Sequence, residues 1–89
     1  MTAKKGSDRS LAIEGRELIE KAIMRYLATR PLGAINNEIA KELGLESDFQ
    51  GRQKNYLTYS VLGGLMKRGL VERKVDGTRK AFVKVSKLD

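Results

Sequence analysis

Gly69 divides this sequence into two kinds of chain. Before it, apolar residues recur at the three- and four-residue spacing of helices. After it, two short apolar and basic runs flank Asp76-Gly77. A helical stretch followed by one hairpin confines a chain of 89 residues to a single small α+β domain. The hairpin signal is strong because Asp and Gly tolerate the positive φ that a two-residue loop demands. With Asp76-Gly77 as that loop, Leu70–Val75 is one strand and Thr78–Val85 the other. Val71 then faces Phe82, and Leu70 faces Val83.

Three helical patterns fill the first part. Ile19, Ala22, Ile23, Tyr26 and Leu27 form one apolar stripe and predict a helix over about residues 12–29. Glu14, Glu17 and Glu20 lie early in it and Arg25 and Arg30 late, which suits the helix dipole. Ser10 or Asp8 is placed to cap its start, and Pro31 ends it. Residues 1–9 read as a flexible basic N-terminal arm, and residues 10–87 as the domain. Leu32-Gly33-Ala34-Ile35 suits a turn with a stub of strand. Asn36 and Asn37 then offer caps for a short second helix, with Ile39, Ala40 and Leu43 inward and Gly44 as its stop. Residues 45–52 form a polar connection. The third helix is predicted over about residues 53–68, with Asn55, Thr58, Tyr59, Leu62, Leu65 and Met66 inward. Gln53, Tyr56, Leu57, Ser60, Gly64 and Lys67 then point outward.

The chain contains no cysteine and no histidine. Thiolate nucleophiles, Ser-His-Asp triads and the usual zinc sites are therefore excluded. Glu72-Arg73-Lys74 supplies an acid-x-lysine run, but no acidic partner precedes it in a Pro-Asp pair, because the only proline is followed by Leu32. No catalytic residue, metal site or cofactor is expected, and the chain reads as a binding module rather than an enzyme.

Charge says which kind of partner. Residues 1–49 carry eight bases and eight acids, whereas residues 50–89 carry ten bases and three acids, so the net charge of +7 sits wholly in the second half. That asymmetry points to a polyanion, either nucleic acid or an acidic membrane surface. No run approaches the roughly 20 apolar residues of a membrane span, and residues 1–10 lack the apolar core of a signal peptide. No membrane partner is expected, and the expected setting is the cytoplasm (the nucleoid, in a prokaryote).

Two phrases carry a resemblance. Asn37-Glu38-Ile39-Ala40-Lys41-Glu42-Leu43-Gly44-Leu45 resembles the usual second-helix run of the winged helix–turn–helix superfamily. Leu62-x-x-Leu65-x-x-x-Gly69-Leu70-Val71 resembles its third helix running into the wing. Gly51-Arg52-Gln53-Lys54-Asn55-Tyr56-Leu57 is further similar to winged-helix domains attached to some restriction endonucleases. The connection between the second and third helices is longer than the three- or four-residue turn of simple helix–turn–helix proteins. The resemblance implies three helices plus a C-terminal β-hairpin wing. It also implies a double-stranded DNA-binding module, acting as a small transcriptional regulator or as a DNA-reading accessory protein.

The residues suit that role. A helix fits the major groove, where base edges carry a distinguishable donor and acceptor pattern. Gln53, Asn55, Tyr56 and Ser60 are the candidate reading groups, with Arg52 and Lys54 at the entrance of the helix, although the helical phase turns Asn55 inward. Arg73, Lys74, Arg79 and Lys80 suit phosphate contacts, which set register without reading sequence. Lys67, Thr78 and the arm residues Lys4, Lys5 and Arg9 extend the set. A homodimer on two half-sites is a further expected assembly. The alternative function is a protein-interaction winged helix, or a subunit of a larger complex that does not read DNA.

Overall fold

The computed structural model describes residues 4–46, 48–49, 52–53 and 55–85. The elements run α1 (Lys4–Ala28), α2 (Asn36–Glu42), β1 (Asp48–Phe49), β2 (Arg52–Gln53), α3 (Tyr56–Lys67), β3 (Val71–Asp76) and β4 (Arg79–Lys84). Three helices thus precede an antiparallel two-stranded hairpin, as the period change at Gly69 predicts. Among the described residues no helix is long and apolar enough to cross a membrane.

Helix α1 starts well before the predicted residue 12. Its core-facing stripe begins only at Ile19, but no proline interrupts Lys4–Ile13, and the helix continues as an extension that the core does not cover. The expected arm is therefore helical from Lys4 onward, and residues 1–3 lie outside the described residues. At the other end the amides of Thr29 and Arg30 still bond the carbonyls of Tyr26 and Leu27, and Pro31 stops further turns. Gly33 follows at φ 85°. A Cβ there would lie 2.7 Å from the Phe82 carbonyl oxygen, so only glycine allows the chain this close to β4. The close approach lets Ala34 exchange two backbone hydrogen bonds with Phe82, at 3.1 and 2.8 Å. This is the expected strand stub, reduced to one residue.

The capping of α2 differs from expectation. Ile35, not either asparagine, is the N-cap, and the Glu38 carboxylate accepts from the Ile35 N–H at 3.1 Å. Isoleucine has no acceptor to return, so only half of a capping box forms. Asn36 and Asn37 are thereby released for another task. Both α2 and α3 end as their glycines predict. Gly44 and Gly69 adopt positive φ, and the next amides, of Leu45 and Leu70, reach back to Ala40 and Leu65 at 2.7 and 3.0 Å. These are Schellman motifs, which satisfy helix-end carbonyls.

The hairpin is offset from the predicted register. Asp76 pairs with Arg79, Arg73 with Phe82 and Val71 with Lys84, so the loop is Gly77-Thr78 rather than Asp76-Gly77. Gly77 alone takes positive φ there, as a loop with glycine in its first central position requires. Both loops are chemically permissible. The Ala34 bridge ties Phe82 of β4 to the loop after α1.

Ile23 and Leu27 of α1, Ala34, Ile39 of α2, Val61, Leu62 and Leu65 of α3, Val71 and Phe82 form one buried cluster. Each of the Ile, Leu, Val and Phe side chains among them contributes roughly 1.5–3 kcal/mol by leaving water. The phase of α3 is rotated from the predicted one: Val61 is buried, whereas Tyr59 is 53% exposed. Tyr59, expected in the core, stands outside it because α3 centres Thr58, Val61, Leu62 and Leu65 between α1, α2 and β3. Arg68, the C-cap of α3, donates to Glu20 of α1 at 3.1 Å, and Arg16 joins the same carboxylate at 3.5 Å.

Candidate nucleic-acid interface

Helix α3 begins later than predicted. Arg52 and Gln53 form the short strand β2, paired with β1, so neither belongs to the helix. Lys54 lies outside the described residues. The helix proper opens at Tyr56, after Asn55 in the left-handed region at φ 53° and ψ 43°. Asparagine is among the few side chains that adopt that conformation readily.

Asn55 is fully buried, and this corrects its expected place on a base-reading face. Its Nδ2 donates to Asn37 Oδ1 at 2.8 Å, and its carbonyl oxygen accepts from Asn36 Nδ2 at 3.3 Å. The three asparagines tie the start of α3 to the start of α2. Asn55 therefore sets the direction in which α3 leaves the domain and presents no group to a ligand.

The exposed residues of α3 are Tyr56, Leu57, Tyr59, Ser60, Met66 and Lys67, with the half-buried Gly63 between them. Tyr59 faces the hairpin across a gap. Between them is an open cleft of about 620 Å³, lined by Asn36, Asn37, Tyr59, Arg73, Thr78, Arg79, Lys80 and Phe82. Four predicted residues, Arg73, Thr78, Arg79 and Lys80, thus converge on one concavity. Strand alternation places Arg73, Val75, Lys80 and Phe82 on one face of the hairpin and Lys74 and Arg79 on the other. Lys74 does not line the cleft. Arg79 does, and it approaches Glu38 of α2 at 3.7 Å, with both side chains about half exposed. Arg73, Lys74 and Lys80 make no ion pair among the described residues.

Ser60 and Lys67 belong to a second hollow, which they share with Arg16, Gly63, Gly64 and Met66. Tyr56 projects from the first turn of α3 and is 64% exposed. Sequence reasoning missed Asn36, Asn37 and Tyr59 as cleft residues. The asparagines were legible only as caps, and Tyr59 was hidden by a rotation of the helix about its axis. Among the described residues no cluster of three or more acidic side chains suits a metal ion.

Comparison with known proteins places the chain beside none of them, since no family model, curated protein or solved structure matches it.

Proposed function

We propose that this chain is a winged helix–turn–helix module that binds duplex DNA. One observation carries the reading: the cleft between α3 and the hairpin gathers Arg73, Arg79 and Lys80, opposed only by Glu38 among the described ion pairs. A cationic concavity beside an exposed helix suits a phosphate backbone flanking an occupied major groove. In this reading α3 enters the groove with Tyr56, Tyr59, Ser60 and Lys67, while Arg73, Thr78, Arg79 and Lys80 hold the flanking strand. Lys74 meets phosphate from the opposite face of the hairpin. Arg52 and Gln53, on β2, belong to the same proposed set, and Asn55 serves by positioning α3. The outward face of α3 carries hydroxyls and one lysine but no arginine, asparagine or glutamine, the side chains best suited to bidentate base pairing. Backbone contacts therefore supply most of the affinity, and sequence discrimination is modest. A small transcriptional regulator or an accessory DNA reader in a restriction-type system fits this balance.

The second reading is a protein-docking face. It is favoured by Tyr56, Leu57 and Tyr59, all about half exposed or more on α3. Large exposed aromatics are frequent anchors of protein interfaces.

Fluorescence anisotropy with mixed-sequence duplex DNA across a salt series separates the two. About six neutralised phosphates give a log–log slope near −5. The Arg79→Glu/Lys80→Glu variant is expected to lose most of the affinity and to flatten that slope. Undetectable binding at low salt, or equal binding by the variant, refutes the DNA reading and turns attention to the tyrosine face.

A further inference from the structure

Helix α1 has a second apolar stripe that the core does not use. Ile19, Ile23 and Leu27 face the interior, yet Leu11 and Leu18 are 64% and 61% exposed. With Gly15 and Ala22, both half-buried, these leucines recur at spacings of four, three and four. That is the a/d seam of a heptad, turned about a third of a circle from the core face. An unpartnered seam of this kind on a polar helix calls for another helix.

The charges beside the seam say which helix. Glu14 and Lys21 stand one heptad apart on one flank, and Ala12 and Ile19 stand on the other. When two copies of α1 run antiparallel with Gly15 facing Leu18 of the partner subunit, Leu11 faces Ala22 of the partner subunit. Each large residue then meets a small one. The same register brings Glu14 against Lys21 of the partner subunit, twice by symmetry. It also brings Asp8 against Arg25 of the partner subunit at the ends of the seam. The other flank pairs Ala12 with the partner's Ile19, and Leu57 of α3 adjoins it in a hollow with Ala12, Gly15 and Ile19. In a parallel pairing Glu14 would meet Ile19, and none of these charge pairs would form.

We infer that two copies of this chain associate through an antiparallel, two-fold pairing of α1 along Leu11, Gly15, Leu18 and Ala22. The contact is self-complementary, as a two-fold interface must be. It lies on α1, away from the cleft between α3 and the hairpin, and it stands whether or not duplex DNA is the ligand. A seam of four positions is short for a coiled coil, so the dimer forms in the micromolar range rather than tighter.

Sedimentation equilibrium of the full chain, run from micromolar to millimolar concentration, tests the pairing. The wild type is expected to approach twice the monomer mass. Leu18→Glu, at an exposed position, is expected to stay monomeric with an unchanged far-UV spectrum. Glu14→Lys removes two attractions and creates two repulsions, so dimerisation should weaken about tenfold or more. The double reversal Glu14→Lys/Lys21→Glu should restore it, because the pairs reform with exchanged signs. A monomeric wild type, or a dimer indifferent to Leu18→Glu, overturns the interface. Failure of the double reversal to recover the dimer overturns the antiparallel register.

Discussion

Replacing Asn55 by glycine and by alanine should give an inverted order of stability. In most structured positions alanine is the better residue, because glycine loses more freedom on folding. At residue 55 the backbone is left-handed, and Asn55 is the one non-glycine residue with positive φ among those described. Both variants lose the buried hydrogen bond to Asn37, at a cost of about 1 kcal/mol. Alanine adds about 1–2 kcal/mol of left-handed strain that glycine does not feel. Glycine adds only about 0.7 kcal/mol through the unfolded chain. The expected losses are thus roughly 2–3 kcal/mol for Asn55→Ala and 1–2 kcal/mol for Asn55→Gly. In a domain this small each kcal/mol moves the melting midpoint by about 4–8 °C. Thermal unfolding followed by far-UV circular dichroism therefore resolves the difference. Asn37→Ala in the wild type should cost about 1 kcal/mol, and in the Asn55→Gly background almost nothing, since the shared bond is already gone. Asn55→Ala as stable as Asn55→Gly, or additive losses in the Asn37 cycle, would refute the account of this lock.

Other substitutions test the remaining contacts. Gly33→Ala should destabilise by roughly 3 kcal/mol and broaden the unfolding transition, because a Cβ meets the Phe82 carbonyl and the Val83 side chain within 2.8 Å at a positive φ. Chemical denaturation reads both effects. Glu38→Ala should cost about 1 kcal/mol by uncapping α2, whereas Glu38→Gln keeps an acceptor for the Ile35 N–H and should melt close to the wild type. If both Glu38 variants melt alike, the pairing with Arg79 and not the cap is what matters.

The legible parts of the fold are those governed by one local requirement. Gly44 and Gly69 announce the helix ends they make, because a left-handed cap is glycine's commonest task. Ile23, Leu27, Ile39, Leu62 and Leu65 announce the core by spacing alone. What escaped depends on contacts between distant segments. The hairpin register is not settled by the loop residues, since either pair suffices. The orientation of Tyr59 follows from how α3 is shared among three neighbours, and a helical wheel fixes only relative angles. The cap of α2 was misplaced because Glu38 acts on a residue whose own side chain is inert. For the candidate site, the hairpin cations were visible as a charge cluster. Their division between two faces was legible too, because the observed register differs from the predicted one by two residues and so keeps Arg73 with Lys80 and Lys74 with Arg79. Spacing turns Asn55 inward, as found, but does not signal its left-handed backbone or its bonds to Asn36 and Asn37.

The Ala34–Phe82 pair also has a consequence for the order of events in folding. It joins residues about 50 positions apart, and the closure of so long a loop carries an entropic cost that local helix formation does not. Helical turns form within microseconds from neighbouring residues, and the β3–β4 hairpin closes across a two-residue loop on a similar scale. The bridge has to wait until α1 and α3 have brought both ends together, so it belongs to the late, topology-limited phase of folding. In the reverse direction it is one tie of two, since Val71 and Phe82 also pack in the core with α1 and α3. Loss of the two backbone hydrogen bonds frees the β4 edge from the loop after α1, while the buried Val71 and Phe82 still hold the hairpin to the helices.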